Sequence, residues 1–246
     1  MHPSNLHFFP LAQPFLLALF FLLALLIAFI QVGVLGYAYE RLGVDRRYIF
    51  SLLVLSLLGS YVNIPVAELY SEQVVPPQII VFSGLPYVIP EAISPQRTII
   101  AVNLGGALIP TLLSLYLLAK HPIRGRGLVG TAVVSLVVNL LAEPVRGVGI
   151  AVPTFVPPLV TAVVALLLSR RYAAPLAYIC GSLGTLIGAD LLNLGKIPKL
   201  GAPVAAIGGA GTFDGVFMTG IVAVLLASIY GGRRLPGASR SPGKPS

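Results

Sequence analysis

Gly184–Leu194 reads GTLIGADLLNL, and Gly208–Gly220 reads GGAGTFDGVFMTG. Both stretches are apolar enough to lie inside a membrane, and each carries one carboxylate, Asp190 or Asp214. An acid at the centre of a spanning helix costs roughly 2.5–3.5 kcal/mol on insertion scales, so intramembrane carboxylates are functional suspects by default. The surrounding glycines let the backbone bend and be approached closely.

The rest of the chain fits that solvent. Of its 246 residues 57% are hydrophobic and 10% charged, against about 25% charged in a typical soluble domain. Mean hydropathy is +0.93. The formal charge is +8, but the basic residues fall in short loops without an aromatic-basic patch. Topology signalling explains them, and no nucleic-acid partner is expected. Cys180, the single cysteine, excludes an internal disulfide and reads as a small buried hydrophobe. His2, His7 and His121 lack metal-ligand spacing and read as surface residues, so neither metal nor cofactor is expected.

Seven apolar segments follow from the hydropathy pattern: Leu11–Tyr37, Ile49–Pro65, Thr98–Ala119, Leu128–Ala142, Leu159–Ser169, Ala173–Leu194 and Phe213–Tyr230. The run Leu11–Ala38 is too long for a secretory signal core and lacks a basic leading region, so it reads as a retained spanning helix. The connection Ala67–Arg97 is β-branched and proline-punctuated, with Ser83-Gly84 as a turn, which predicts a short hairpin. The fourth and fifth segments are short, and the stretch between them, EPVRGVGIAVPTFVPP, is broken by prolines. The expected fold is an all-α membrane protein of about seven transmembrane helices, with broken or re-entrant segments and a short extracytoplasmic β-hairpin. Residues 1–230 read as one polytopic domain and residues 231–246 as a basic, disordered cytoplasmic tail.

Loop charges orient this arrangement. Arg41, Arg46, Arg47, Lys120, Arg124, Arg126, Arg170, Arg171, Arg233, Arg234, Arg240 and Lys244, twelve of the sixteen basic residues, fall on one side. Arg97, Arg146, Lys196 and Lys199 fall on the other with Glu68, Glu72, Glu91 and Glu143. By the positive-inside rule the N-terminus is outside and the C-terminus cytoplasmic, in the cell membrane.

Asp190 and Asp214 then lie near the outer ends of neighbouring helices, at similar depth, where they can form one site. Asn193 shares a helix face with Asp190. Thr212 precedes Asp214, which also suits a helix start. Asp190 is equally suited to a hydrogen bond with backbone of the glycine-rich loop. Glu143 and Arg146 flank Pro144 at a helix break, the pattern of solute sites in transporters, and Asn63 and Asn103 offer further polar lining. Gly208, Gly209 and Gly211 lack the lysine of a phosphate loop.

The motifs AVNLGGALIP (Ala101–Pro110), GVGIAVPTFVPPL (Gly147–Leu159), GSLGTLIGADLLNL and IGGAGTFDG resemble a family of prokaryotic multi-pass membrane proteins known as a domain of unknown function (number sixteen-fourteen). The resemblance covers about Ile79 to Ser228. It implies architecture and no established activity. Three function classes stand beside it. The first is a transporter or solute-binding protein in which Asp190, Asn193, Thr212, Asp214, Glu143, Arg146 and Asn103 bind a small solute, cation or proton. The second is an intramembrane aspartyl protease with Asp190 and Asp214 as a catalytic pair. IGAD is similar to the GxGD motif of presenilin-like and prepilin peptidases, but has Ala189 in place of glycine and a reversed motif order. The third is a non-catalytic scaffold.

Overall fold

The computed structural model describes residues 20–21, 31–75, 78–82, 85–89, 92–145, 149–200, 202–209 and 215–230. The chain divides into two compact units, Met1–Tyr37 and Ala38–Ser246. In the first, residues 20–21 and 31–37 are helical. The expected first span and the tail 231–246 lie largely or wholly outside the described residues.

There are seven helices among the described residues, with three small sheets beside them. The helix α1 (residues 31–41) ends at the turn Leu42–Gly43, where Gly43 takes φ +76°. Asp45 then caps α2 (Arg46–Gly59) by accepting a hydrogen bond from the Arg47 amide. The expected second segment overran this helix: Asn63–Pro65 already belongs to a strand. Strand β1 (Asn63–Val75) pairs antiparallel with β4 (Ala92–Asn103), from Asn63 opposite Asn103 to Val75 opposite Ala92. Between them β2 (Gln78–Phe82) and β3 (Leu85–Ile89) form a smaller ladder. The expected hairpin is therefore present and long. An ion pair between Arg97 and Glu68, with Tyr70 donating to Glu68 at 2.8 Å, decorates its exposed side.

The hairpin corrects the all-α expectation. Thr98–Asn103, expected to open a helix, is strand, because Ile99, Ile100 and Val102 are β-branched or apolar and find partners on both edges. On the second edge lies β7 (Val204–Ile207), parallel to Ile99–Val102, inside the stretch expected to be a plain loop.

The chain turns from β4 directly into a π-helical turn, Leu104–Leu108, which continues as α3 (Ile109–Lys120). Next come α4 (Arg124–Leu141), a hairpin of β5 (Glu143–Val145) and β6 (Gly149–Ala151), and α5 (Val156–Leu168). Pro157 and Pro158, expected to break the segment, instead start α5: the first helical turn needs no amide donor. The helix α6 (Ala173–Thr185) packs against α3, α4, α5 and α7 (Gly215–Tyr230). It is buried nearly all round, as the central member of a bundle must be. Its Cys180 sits in a core with Val134, Val138 and Ala189.

Two helices, Arg124–Leu141 and Ala173–Ile197, are long and apolar enough to cross a membrane. Leu104–Lys120, Val156–Leu168 and Gly215–Tyr230 are shorter apolar helices.

His121, expected at the surface, is half-buried, its ring 5.6 Å from that of Tyr172. Burial, opposed by a hydrogen bond to the Leu42 backbone and aided by nearby Lys120, holds its pKa below the ordinary 6.5. The fold thus favours neutral imidazole, while the unfolded chain protonates first as pH falls. Stability present above about pH 6.5 is lost on acidification through that value and below. The melting temperature of wild type is expected to fall more between pH 7.5 and 5.5 than that of His121→Gln; parallel curves for the two proteins refute this.

Candidate functional site

The central helix does not run out regularly. After Thr185 the backbone passes through a π-helical turn, Leu186–Asp190, and then a tighter 3-10 stretch, Leu191–Leu200. Such a turn shifts the hydrogen-bond register and leaves carbonyls to be satisfied by other groups. Asn193 satisfies them here: its fully buried amide donates to the Gly188 carbonyl at 2.9 Å and the Ala189 carbonyl at 3.0 Å. Asn139 of α4 adds a bond to Gly188 O at 3.2 Å. The break is held from both sides.

Asp190 closes the π-turn. Its Oδ2 accepts the Gly208 amide proton at 2.7 Å, the bond to the glycine-rich loop that suits a carboxylate in this position. Gly208 and Gly209 have φ +86° and +80°, values that glycine adopts without strain. Gly208 also lies against the first π-turn: a Cβ on Gly106 would stand 1.9 Å from its carbonyl oxygen. The loop after β7 is thus fastened to both irregular turns, to one by backbone contact and to the other by the Asp190 carboxylate.

The Asp190 side of the break faces a cavity of about 240 Å³. Thr185 at the end of α6 with Ala189 of the π-turn, and Gly215, Val216, Met218 and Thr219 of α7, form two of its walls. A third wall comes from the proline-rich connection, through Ile150, Val152 and Thr154. Asp190 is the one ionisable residue among its described lining. At roughly 30 Å³ per water, the space suits about eight waters, a hydrated cation or a small solute. No group of three or more His, Cys, Asp or Glu with metal-binding geometry occurs among the described residues.

The other expected site residues are dispersed. Asn193 turns to the backbone and does not line the cavity. Asn103 is fully buried elsewhere: its amide donates to Ser60 O and to Asn63 Oδ1, and its own Oδ1 accepts the Gly106 amide proton. Glu143 is exposed at the start of β5 and is not part of the lining. Asp214, Thr212, Arg146 and Gly211 lie outside the described residues; Asp214 immediately precedes Gly215, which lines the cavity. Thr185, Thr219 and Asn139 were missing from the sequence-based set. Tyr178, Ser182 and Thr185 follow an i, i+4, i+7 spacing, which marks one polar line on an otherwise apolar helix.

The Gly208 contact predicts a split between two Asp190 variants. Asp190→Ala leaves the Gly208 amide without its acceptor and is expected to cost roughly 1–3 kcal/mol. Asp190→Asn keeps an acceptor oxygen and should cost under about 1 kcal/mol. Chemical unfolding of both in detergent checks this, and equal losses would remove the anchoring role.

A family model described as "Protein of unknown function (DUF1614)" matches residues 57–226. That is more than half of the chain, and the protein belongs to this family. Every described residue of the cavity lies within the matched region. No curated protein and no solved structure matches the chain.

Proposed function

We propose that this protein is a multi-pass integral protein of the cell membrane, N-terminus outside and C-terminus cytoplasmic, that binds a small solute or cation at Asp190 as part of transport. The apolar outer faces of its helices support the membrane environment. On α4 Leu128 and Leu140 are 74% and 76% exposed, and on α5 Leu167 is 81% exposed. Leu136 and Leu140 on α4, and Leu159, Val163 and Leu167 on α5, recur every four residues as continuous outward stripes. Monomeric soluble proteins rarely expose contiguous apolar patches beyond a few hundred Å². Lipid is the solvent that suits them. The shorter helices complete their spans with the irregular segments that adjoin them, which is tolerated where such backbone is buried in protein or lines a cavity.

The observation that carries the binding reading is a carboxylate on a broken helix, facing a cavity together with Thr185 and Thr219. Discontinuous helices of this kind line solute and ion sites in transporters. The test uses purified protein in detergent and a panel of Na⁺, K⁺, Li⁺ and small neutral solutes. A ligand at roughly 100 times its Kd stabilises by ~2.7 kcal/mol, so one probe should raise the melting temperature of wild type and leave that of Asp190→Asn unmoved. No response from wild type, or the same response from both proteins, defeats the binding reading.

Gly215 keeps a second reading in view, since its neighbour in sequence is Asp214. An intramembrane aspartyl protease needs two carboxylates that share a proton, one serving as base toward water and the other as acid. Peptide cleavage lost in both Asp190→Ala and Asp214→Ala would support it, whereas cleavage retained in both would end it.

A further inference from the structure

Three turns gather at one end of the bundle. His121, between α3 and α4, sets its ring 5.6 Å from that of Tyr172, between α5 and α6. Lys120 beside it donates to the carbonyl of Gly43, in the turn between α1 and α2. The Lys120 ammonium also stands 5.3 Å from the Tyr116 ring centroid, and the Arg171 guanidinium 5.5 Å from that of Tyr172. Packing thus joins aromatic and basic residues that the sequence holds in separate loops. Arg124, Arg126 and Arg170 add exposed cations to the same two later turns. No Asp or Glu lies between Glu91 and Glu143 or between Glu143 and Asp190, so these two turns carry positive charge alone. The α1–α2 turn is mixed, with Glu40 and Asp45 beside Arg41, Arg46 and Arg47. Among the described residues none of Lys120, Arg124, Arg126, Arg170 and Arg171 forms an ion pair.

These cations end apolar stripes. On α4, Leu128, Ala132, Leu136 and Leu140 follow Arg124 at steps of four and all are exposed, so they share its outward face. On α3, Leu112 and Tyr116 precede Lys120 at the same step, again exposed. The α5 stripe ends at Leu167, three residues before Arg170. From Arg124 to Leu140 is about 24 Å along the helix, longer than one leaflet of a hydrocarbon core ~30 Å thick. A face apolar over that length and cationic at one end matches a phospholipid, with acyl chain on the stripe and phosphate at its end. Tyrosine at the junction suits the membrane–water interface. A zwitterionic headgroup brings its own ammonium among these cations, with no carboxylate on either turn to meet it. A headgroup whose only charge is the phosphate does not.

We propose that the α3–α4 and α5–α6 turns form a seat for an anionic phospholipid, its phosphate held by Lys120, Arg124 and Arg171 and its acyl chains laid along the outward faces of α3, α4 and α5. The inference rests on the membrane placement proposed above. Arginine offers the phosphate two parallel N–H donors and lysine a point charge. Clusters of such residues beside spanning helices attract anionic lipid. Because Lys120 and His121 already join three turns, a lipid bound there ties together the connections at this end of the bundle.

The experiment is native mass spectrometry of the full chain in a non-ionic detergent with equimolar dioleoyl phosphatidylglycerol and dioleoyl phosphatidylcholine, which share acyl chains and differ in charge. Wild type should hold phosphatidylglycerol roughly tenfold over phosphatidylcholine, the scale set by one or two cations at a membrane surface. Arg124→Gln/Arg171→Gln should bring that preference close to parity. Arg124→Lys/Arg171→Lys should keep most of it, and Arg97→Gln, on the hairpin, all of it. If the Gln double variant does not fold, Arg124→Gln alone carries the same test, because the exposed Arg124 forms no ion pair among the described residues. Parity in wild type overturns the proposal, as does an undiminished preference in the Gln variant. Displacement of phosphatidylglycerol by inorganic phosphate or by a polyglutamate peptide assigns the surface to a soluble anion and also overturns it. Alkaline carbonate extraction measures the membrane placement separately. Release of the protein from membranes removes the placement, whereas retention with equal binding of the two lipids removes this inference alone.

Discussion

Gly106→Ala is expected to abolish or severely weaken the folded state. The added Cβ would lie 1.9 Å from Gly208 O, and the next nearest atom, Gly208 C, is backbone too. No side chain can swing aside. Overpacking with such relief costs about 1–3 kcal/mol, and more without it, so a loss above ~3 kcal/mol is expected here, a large share of the roughly 5–15 kcal/mol that holds a domain folded. Gly208→Ala meets the same contact from the other side, with Ala107 N at 2.5 Å and φ at +86°. Left-handed backbone adds about 1–2 kcal/mol for a residue with a Cβ. Gly125→Ala on α4, where nothing lies within 4 Å, is the control and should be neutral or slightly stabilising. The chain has no Trp, so unfolding is followed by far-UV circular dichroism in detergent. Wild-type stability in both Gly106→Ala and Gly208→Ala would show that the two turns do not touch as described.

Asn103 should rank next. Its side chain joins the end of α2, the start of β1 and the π-turn before α3 through bonds of 2.7, 3.0 and 2.7 Å. Asn103→Ala strands the Gly106 amide and the Ser60 carbonyl in the interior, at roughly 1–3 kcal/mol each, so a loss of about 3–5 kcal/mol is expected. Asn103→Asp keeps the acceptor for Gly106 N–H but loses the donor and sets a carboxylate against the oxygens of Ser60 and Asn63. It should be no milder than alanine. Thermal melts of the two variants check the order, and a loss below about 1 kcal/mol for either contradicts the joint.

Much of this was readable in the chain. Apolar runs expected to end at Ala119, Ala142, Ser169 and Tyr230 placed the helix ends at Lys120, Leu141, Leu168 and Tyr230 to within one residue, because hydropathy and loop charge act locally. The alternation of β-branched residues and prolines in Ala67–Arg97 announced the hairpin for the same reason. Asp190 stood out by its cost in an apolar setting, and one of its readings, a bond to the glycine-rich loop, matches the Gly208 contact. Less was readable where a segment's conformation depends on a distant partner. Val204–Ile207 looked like loop because a four-residue strand has no signal of its own until Ile99–Val102 pairs with it. Asn103 and Asn193 looked like solute ligands because sequence shows an amide in an apolar run but not the backbone groups it serves: the π-turn carbonyls of Gly188 and Ala189 for Asn193, the Ser60 carbonyl and the Gly106 amide for Asn103.

The sequence by itself determined that an acid-poor, strongly apolar chain builds apolar helices, where they end, and that Asp190 is costly in its place. Those properties are set by residue type and spacing alone. Only the tertiary structure decided that the loop at Gly208 meets one π-turn backbone to backbone and the other through the Asp190 carboxylate, that the proline-rich connection walls a cavity beside Asp190, and that Thr185 and Thr219 share it. Each of those depends on atoms from segments tens of residues apart, brought within a few ångströms by packing around α6, and no local pattern encodes that distance.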